Sequence, residues 1–191
     1  MTRWRERASP IKKEPYYIER DEQKRQAFDE EMSALAPEVD VVYVDESGVN
    51  SHMSREYGRS PKGERVFLPR PGRKFKKENV VAGLCNNKII CPTKYAWNTT
   101  AEWFLEWFEW FLCPLLLAGS VIVMDNASFH KKSELDRIAL SYGCHMIWLP
   151  PYSPDKNPIE KVWANMKNWL RLNAKNYTTI QEAISAFFQS E

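Results

Sequence analysis

Residues 121–125 read Val-Ile-Val-Met-Asp, and residues 41–45 read Val-Val-Tyr-Val-Asp. Both are short, unbroken apolar runs rich in β-branched residues, and both end in a carboxylate. Such runs read as strands buried on both faces, as in a parallel sheet. Cys144 to Leu149 supplies a third. Parallel strands need crossover connections, and they gather ligand-binding groups at their carboxyl ends. If the two aspartate-tipped strands are neighbours, Asp45 and Asp125 emerge side by side at one edge of the sheet.

The rest of the chain is laid out around these strands. Ser47-Gly48 is expected to end the first. His52 to Arg59 and Val66 to Leu68 read as antiparallel strands about Ser60-Pro61-Lys62-Gly63. Asn79 to Leu84 and Lys88 to Trp97 form a hairpin about the turn-prone pair Asn86-Asn87. Thr99-Thr100-Ala101-Glu102 has the form of a capping box, opening a helix to about Leu112. Glu102, Glu106 and Glu109 share one narrow face of it, so the Trp, Phe and Leu on its other faces need a core or an interface. The Trp103, Trp107 and Trp110 cluster reads as core or dimer contact. Ser133 with Asp136 predicts a further helix, closed by Gly143. A Pro-rich link, residues 150–154, leads to Asn157-Pro158-Ile159-Glu160, where Asn at the cap and Pro at the first position start a helix to about Leu172. A short amphipathic helix follows from Thr179 to Gln189. Before the first strand, Asp21 to Leu35 is helical but poor in apolar positions, and Pro37 closes it. Residues 1–37 therefore read as a charged helical connector and residues 38–191 as one α/β domain.

Composition narrows the class. The 191 residues hold 27 Lys or Arg and 25 Asp or Glu, with 43% hydrophobic and 13% aromatic residues. Such a chain can bury a core and is not intrinsically disordered, and its charge of +2 excludes a strongly basic coat protein. Four cysteines without a CxxC pair and three scattered histidines argue against a zinc site and suit a reducing cytoplasm. The N-terminus lacks the apolar core of a secretory signal, and Glu106, Glu109 and Pro114 interrupt the most apolar stretch, so no membrane association is expected. The charge is uneven: Arg55 to Lys77 carries nine basic residues against two Glu. Arg59, Arg65, Arg70, Arg73, Lys74, Lys76 and Lys77 in that stripe are candidate contacts to a DNA backbone, with Lys161 and Lys167 on the later helix. An ordinary solvated surface would look the same.

Two adjacent carboxylates repel unless a cation lies between them, and hard divalent ions with oxygen ligands, Mg²⁺ above all, suit them. A third acid is needed to hold a second ion, and Glu160 is the candidate, delivered back toward the sheet on the first turn of its helix. Asp155 is an alternative, but it falls in the link. Glu46 adjoins Asp45, yet alternation along a strand turns it away. Two such ions activate a water or hydroxyl and stabilise the leaving oxygen in phosphodiester displacement. Each acid also has a plainer reading, as a turn cap for the aspartates and as a capping-box partner for Glu160; it is the three in this order that point to chemistry.

Three stretches carry a family resemblance: Val-Tyr-Val-Asp45-Glu-Ser-Gly, Val-Met-Asp125-Asn-Ala-Ser-Phe-His130, and Leu-Pro-Pro-Tyr-Ser-Pro-Asp-Lys-Asn-Pro-Ile-Glu160-Lys-Val-Trp. From Val39 to Leu172 the chain resembles the catalytic part of DDE transposases of the mariner superfamily, most closely the bacterial insertion-sequence branch. The 34 residues between Asp125 and Glu160 fit the Asp-Asp-Glu spacing of that branch. The resemblance implies a ribonuclease-H-like fold, a mixed five-stranded sheet flanked by helices. It makes Asp45, Asp125 and Glu160 the catalytic and metal-binding triad, with two Mg²⁺ ions, for which Mn²⁺ substitutes. It implies hydrolysis at element ends, then attack of the freed 3′-hydroxyl on double-stranded target DNA, commonly at TA. Asn126 and His130 match the second motif and are expected to support the triad, and Asn157 to shape the link. A homodimer is one partner the chain could have, and the family usually carries an N-terminal helix-turn-helix region that recognises element ends. Only about 37 residues precede the first strand here, so the chain reads either as a truncated copy or as the second frame of a split element, with that region on a separate polypeptide. Two alternatives stay open: another ribonuclease-H-like nuclease, or a catalytically silent DNA-binding remnant.

Overall fold

Val121–Met124 is buried at every position and forms a four-residue strand, β4, inside the sheet. In the computed structural model, which describes residues 17–49, 65, 78–127 and 129–189, β4 pairs in parallel with β1 (Val41–Val49) on one side and with β5 (His145–Trp148) on the other. β1 pairs antiparallel with β2 (Glu78–Cys85), and β2 with β3 (Lys88–Tyr95), so the order is β3-β2-β1-β4-β5. This is the mixed five-stranded sheet expected. The antiparallel strands placed at His52–Arg59 and Val66–Leu68 lie outside the described residues.

Burial on both faces follows from the alternation of β1 and β4. Val42, Val44, Ile122 and Met124 pack against α2 (Ala101–Trp107), the π-helical turn Phe108–Leu112 that continues it, and α3 (Lys132–Ser141). On the opposite face, Val80, Ala82 and Leu84 meet α4 (Ile159–Asn173) and α5 (Ile180–Gln189). Val121, Val123 and Ile147 meet Phe28 of α1 (Glu22–Ser33) on that same face. The upstream helix is therefore seated on the sheet, capped by Asp21, whose carboxylate accepts from the amides of Gln23 and Lys24.

Several boundaries differ from the sequence reading, each for a local reason. Ser47-Gly48 does not end β1, because pairing with β2 continues to Val49. Asp45 is instead the first residue of β1 beyond its pairing with β4, which stops at Val44 and Met124. Thr100, not Thr99, caps α2 by accepting from the Trp103 amide, and the Thr99 hydroxyl bonds that of Tyr95. Lys131 precedes α3 with no side-chain cap, so Ser133 lies inside the helix. Gly143, at φ +73°, ends that helix with two hydrogen bonds, Cys144 N–H to Ala139 O and Gly143 N–H to Leu140 O. Of the tryptophan cluster, Trp107 is core and Trp103 half-buried, but Trp110 is exposed. Asn86 and Asn87 both take positive φ, as a two-residue turn between strands demands. In β3 the register shifts opposite Val81 and Gly83, where Cys91 sits at φ +52°.

Candidate active site

The acids come together where β1 outruns β4. Alternation puts Asp45 on the face covered by α4, and the Trp163 indole N–H donates to Asp45 Oδ2 at 3.0 Å. Trp163 is fully buried and lies one turn beyond Glu160, so the bond that fixes the indole also brings the first turn of α4 over Asp45. Asp125 follows β4 directly, and its Oδ1 accepts from the Ala127 amide at 3.2 Å. Asp45, Asp125 and Glu160 line one open cavity of about 510 Å³, together with Asn126, Asn157 and Tyr152.

Electrostatics describe how closely the acids are coupled. Burial, then the Glu160 and Asp125 charges, pushes the Asp45 carboxyl up to about 7, although the Trp163 bond works against this. Burial also acts to raise Asp125, but neighbouring His130, the Ala127 amide and Lys132 outweigh it, and its pKa is lowered. His130 Nε2 stands 3.2 Å from Asp125 Oδ1, a close contact that lacks hydrogen-bond direction, so both buried ring nitrogens are without a hydrogen bond. The imidazole lies between Phe104 and Phe129, at 4.5 and 4.1 Å between ring centres.

The sequence reading set Glu46 aside as turned away from the site. It does turn to the other face of β1, yet it is not clear of the site. Burial, then Asp45 and Asp125, pushes its carboxyl up to about 8, and Oε1 has no hydrogen-bond partner. An acid beside an acid on a buried strand was the available signal. Asp155 is not a rival to Glu160, because Arg25 and Arg20 take its carboxylate. Asn157 is buried with its Oδ1 unpaired, and it precedes α4 without capping it by side chain; Pro158 occupies the cap position. Arg65 and Lys161 are exposed and Lys167 is half-buried, whereas Arg59, Arg70, Arg73, Lys74, Lys76 and Lys77 lie outside the described residues. Among the described residues no three His, Cys, Asp or Glu side chains stand close enough to form a ready-made metal cage. Asp45 is held by Trp163 and Asp125 by the Ala127 amide, and among the described residues no hydrogen bond or ion pair holds the Glu160 carboxylate.

A mixed sheet in this order, helices on both faces and acids at the carboxyl edge of two adjacent parallel strands, is a ribonuclease-H-like fold. The chain belongs to the DDE superfamily endonucleases, whose family model matches residues 40–182. Among solved structures, the Mos1 transposase paired-end complex with left transposon end aligns with a TM-score of 0.63 at 16% identity, over 84% of this chain and 53% of that one. The Mos1 mariner paired end complex with Mn gives 0.65 at 14% identity, over 96% and 61%. An uncharacterized protein of Sinorhizobium fredii (strain NBRC 101917 / NGR234), y4pE/y4sA, is 40% identical over 57 residues, 28% of this chain and 38% of its own length. The chain thus spans about half the length of the first Mos1 chain it matches. Among the described residues no helix is long and apolar enough to cross a membrane.

Proposed function

We propose that this chain is the catalytic part of a mariner-type transposase, cutting double-stranded DNA at element ends and joining the freed 3′-hydroxyl to target DNA. The observation that carries the reading is the shared cavity of Asp45, Asp125 and Glu160, at the carboxyl edge of the sheet, with Asp45 pushed up to about 7 by burial and by the other two acids. Carboxylates crowded this way are stabilised by a cation, and an all-oxygen donor set selects a hard one. The residues present therefore fit Mg²⁺, with Mn²⁺ as a substitute, and Asp45, Asp125 and Glu160 would hold the ions. When bound, a pair of such ions supplies Lewis acidity to the phosphodiester oxygens and makes water or a 3′-hydroxyl a better nucleophile.

The chain's own work is positional. Trp163 orients Asp45, and the Ala127 amide orients Asp125. Glu160 stands on the first turn of α4 as an exposed side chain, free to turn inward. Lys161, Lys167 and Arg65, with the basic residues between Arg59 and Lys77, are the proposed contacts to the DNA backbone. A second copy of the chain and a separate helix-turn-helix polypeptide for end recognition are the proposed partners, and the bacterial nucleoid is the proposed place of action.

The test is Mn²⁺ binding by calorimetry together with Mg²⁺- or Mn²⁺-dependent nicking of supercoiled plasmid. Wild type should bind Mn²⁺ and nick. Asp45→Ala and Asp125→Ala should lose binding, and Glu160→Gln should keep its fold and lose nicking by at least 10³-fold. Equal Mn²⁺ binding by wild type and the two alanine variants would refute the reading, as would preferential cleavage of RNA–DNA hybrids.

A further inference from the structure

Part of the cavity lining, Pro150 to Pro154 and Asn157, is built by the link that runs into α4, and this link is tied to α1. Arg25, its side chain only 9% exposed, donates from both Nη1 and Nη2 to the two Asp155 oxygens, at 3.1 and 2.7 Å. Arg20 adds a third bond to Asp155 at 3.1 Å, and Lys156 pairs with Asp29. Tyr17, just before the helix, lies 5.6 Å from Tyr152 between ring centres, and both line the cavity. Asp155 and Lys156 belong to a 3₁₀ turn from which backbone bonds step toward the site: Asn157 N–H to Pro154 O, then Glu160 N–H to Asn157 O.

A partly exposed ion pair contributes little to folding unless its geometry is forked and it belongs to a network. This one has both properties, yet Phe28 already anchors α1 to the sheet. The forked pair therefore has a use besides holding the helix down. Among the described residues the Glu160 side chain has no hydrogen-bond or ion-pair partner, so its place depends on the backbone that leads to it.

We infer that Arg25 is a positioning residue: through Asp155 it clamps the link of residues 150–158, and so sets where Asn157 and Glu160 stand in the cavity. The inference rests on the function proposed above and deepens it, since it makes the geometry of the site depend on a helix outside the family-matched segment. A displacement of α1 would then reach the acids through the Arg25 fork, with Arg20–Asp155 and Lys156–Asp29 beside it.

The test uses the full chain with Arg25→Ala, Arg25→Lys and Asp155→Asn. Lysine keeps the charge but not the fork. Amide hydrogen exchange at Asn157 and Glu160 should accelerate at least tenfold in all three, with the α3 amides unchanged. In plasmid nicking with Mn²⁺, kcat should fall at least tenfold while KM stays within twofold. Unchanged exchange in Arg25→Ala overturns the clamp. So does faster exchange with undiminished kcat, and so does an Arg25→Lys protein that matches wild type. A wild type that does not nick overturns the proposed function instead, and the exchange rates then decide the clamp by themselves.

Discussion

Asp45→Asn removes the charge of an acid held deep in the cavity but leaves an oxygen to accept from the Trp163 indole. In the folded chain, burial, with Glu160 and Asp125 adding to it, raises this carboxyl from 3.8 to about 7. The folded state therefore keeps a proton that the unfolded chain gives up. That contribution to stability is fully present below 3.8 and is lost as pH rises to about 7. From pH 5 to pH 8 the wild type crosses about two pH units of this range, each worth about 1.4 kcal/mol, so it should lose roughly 3 kcal/mol that the variant keeps. Urea denaturation in EDTA at the two pH values measures the gap. The variant should gain on wild type as pH rises, and Mg²⁺ added at pH 8 should restore wild type far more than the variant. A gap that is the same at pH 5 and pH 8 would refute the idea that Asp45 is strained by its own ionisation.

Trp163→Phe keeps the packing of α4 but removes the donor to Asp45, and should cost about 1–2 kcal/mol and weaken Mn²⁺ binding, read by denaturation and calorimetry. His130→Ala leaves a hole between Phe104 and Phe129 and exposes Asp125, so we expect a loss of about 2–3 kcal/mol by denaturation. Gly143→Ala forces a side chain into φ +73° with its Cβ 3.1 Å from that of Ala118, and should destabilise by about 1–2 kcal/mol. Asn87→Gly should be neutral or slightly stabilising, because the turn needs positive φ there and glycine accepts it freely, whereas Asn87→Ala should cost about 1 kcal/mol.

Strand existence was legible because β4 is apolar at every position, and nothing but burial on both faces explains four such residues in a row. The end of β1 was not, since Ser47 and Gly48 look like a stop when read alone and only the partner strand β2 shows that pairing continues. Helix starts failed for a related reason. Thr99, Ser133 and Asn157 each have the residue type of a cap, but which one caps is decided by where the chain must turn to meet the sheet. The three acids could be named from motif and order. Glu46 and the Trp163 bond could not, because alternation predicts a face and says nothing of how far a buried charge is felt in a poorly polarisable interior.

The two borders of the sheet, as the described residues form it, have one more consequence. On one side β5 offers only four residues. On the other, β3 presents exposed Lys88, Pro92 and Lys94, and its path is broken at Cys91 by a left-handed residue. A proline gives no amide to a newcomer, lysines repel one another across a junction, and a kinked border does not lie flat against a straight one. At these described borders, fibre-like addition of further strands is therefore disfavoured.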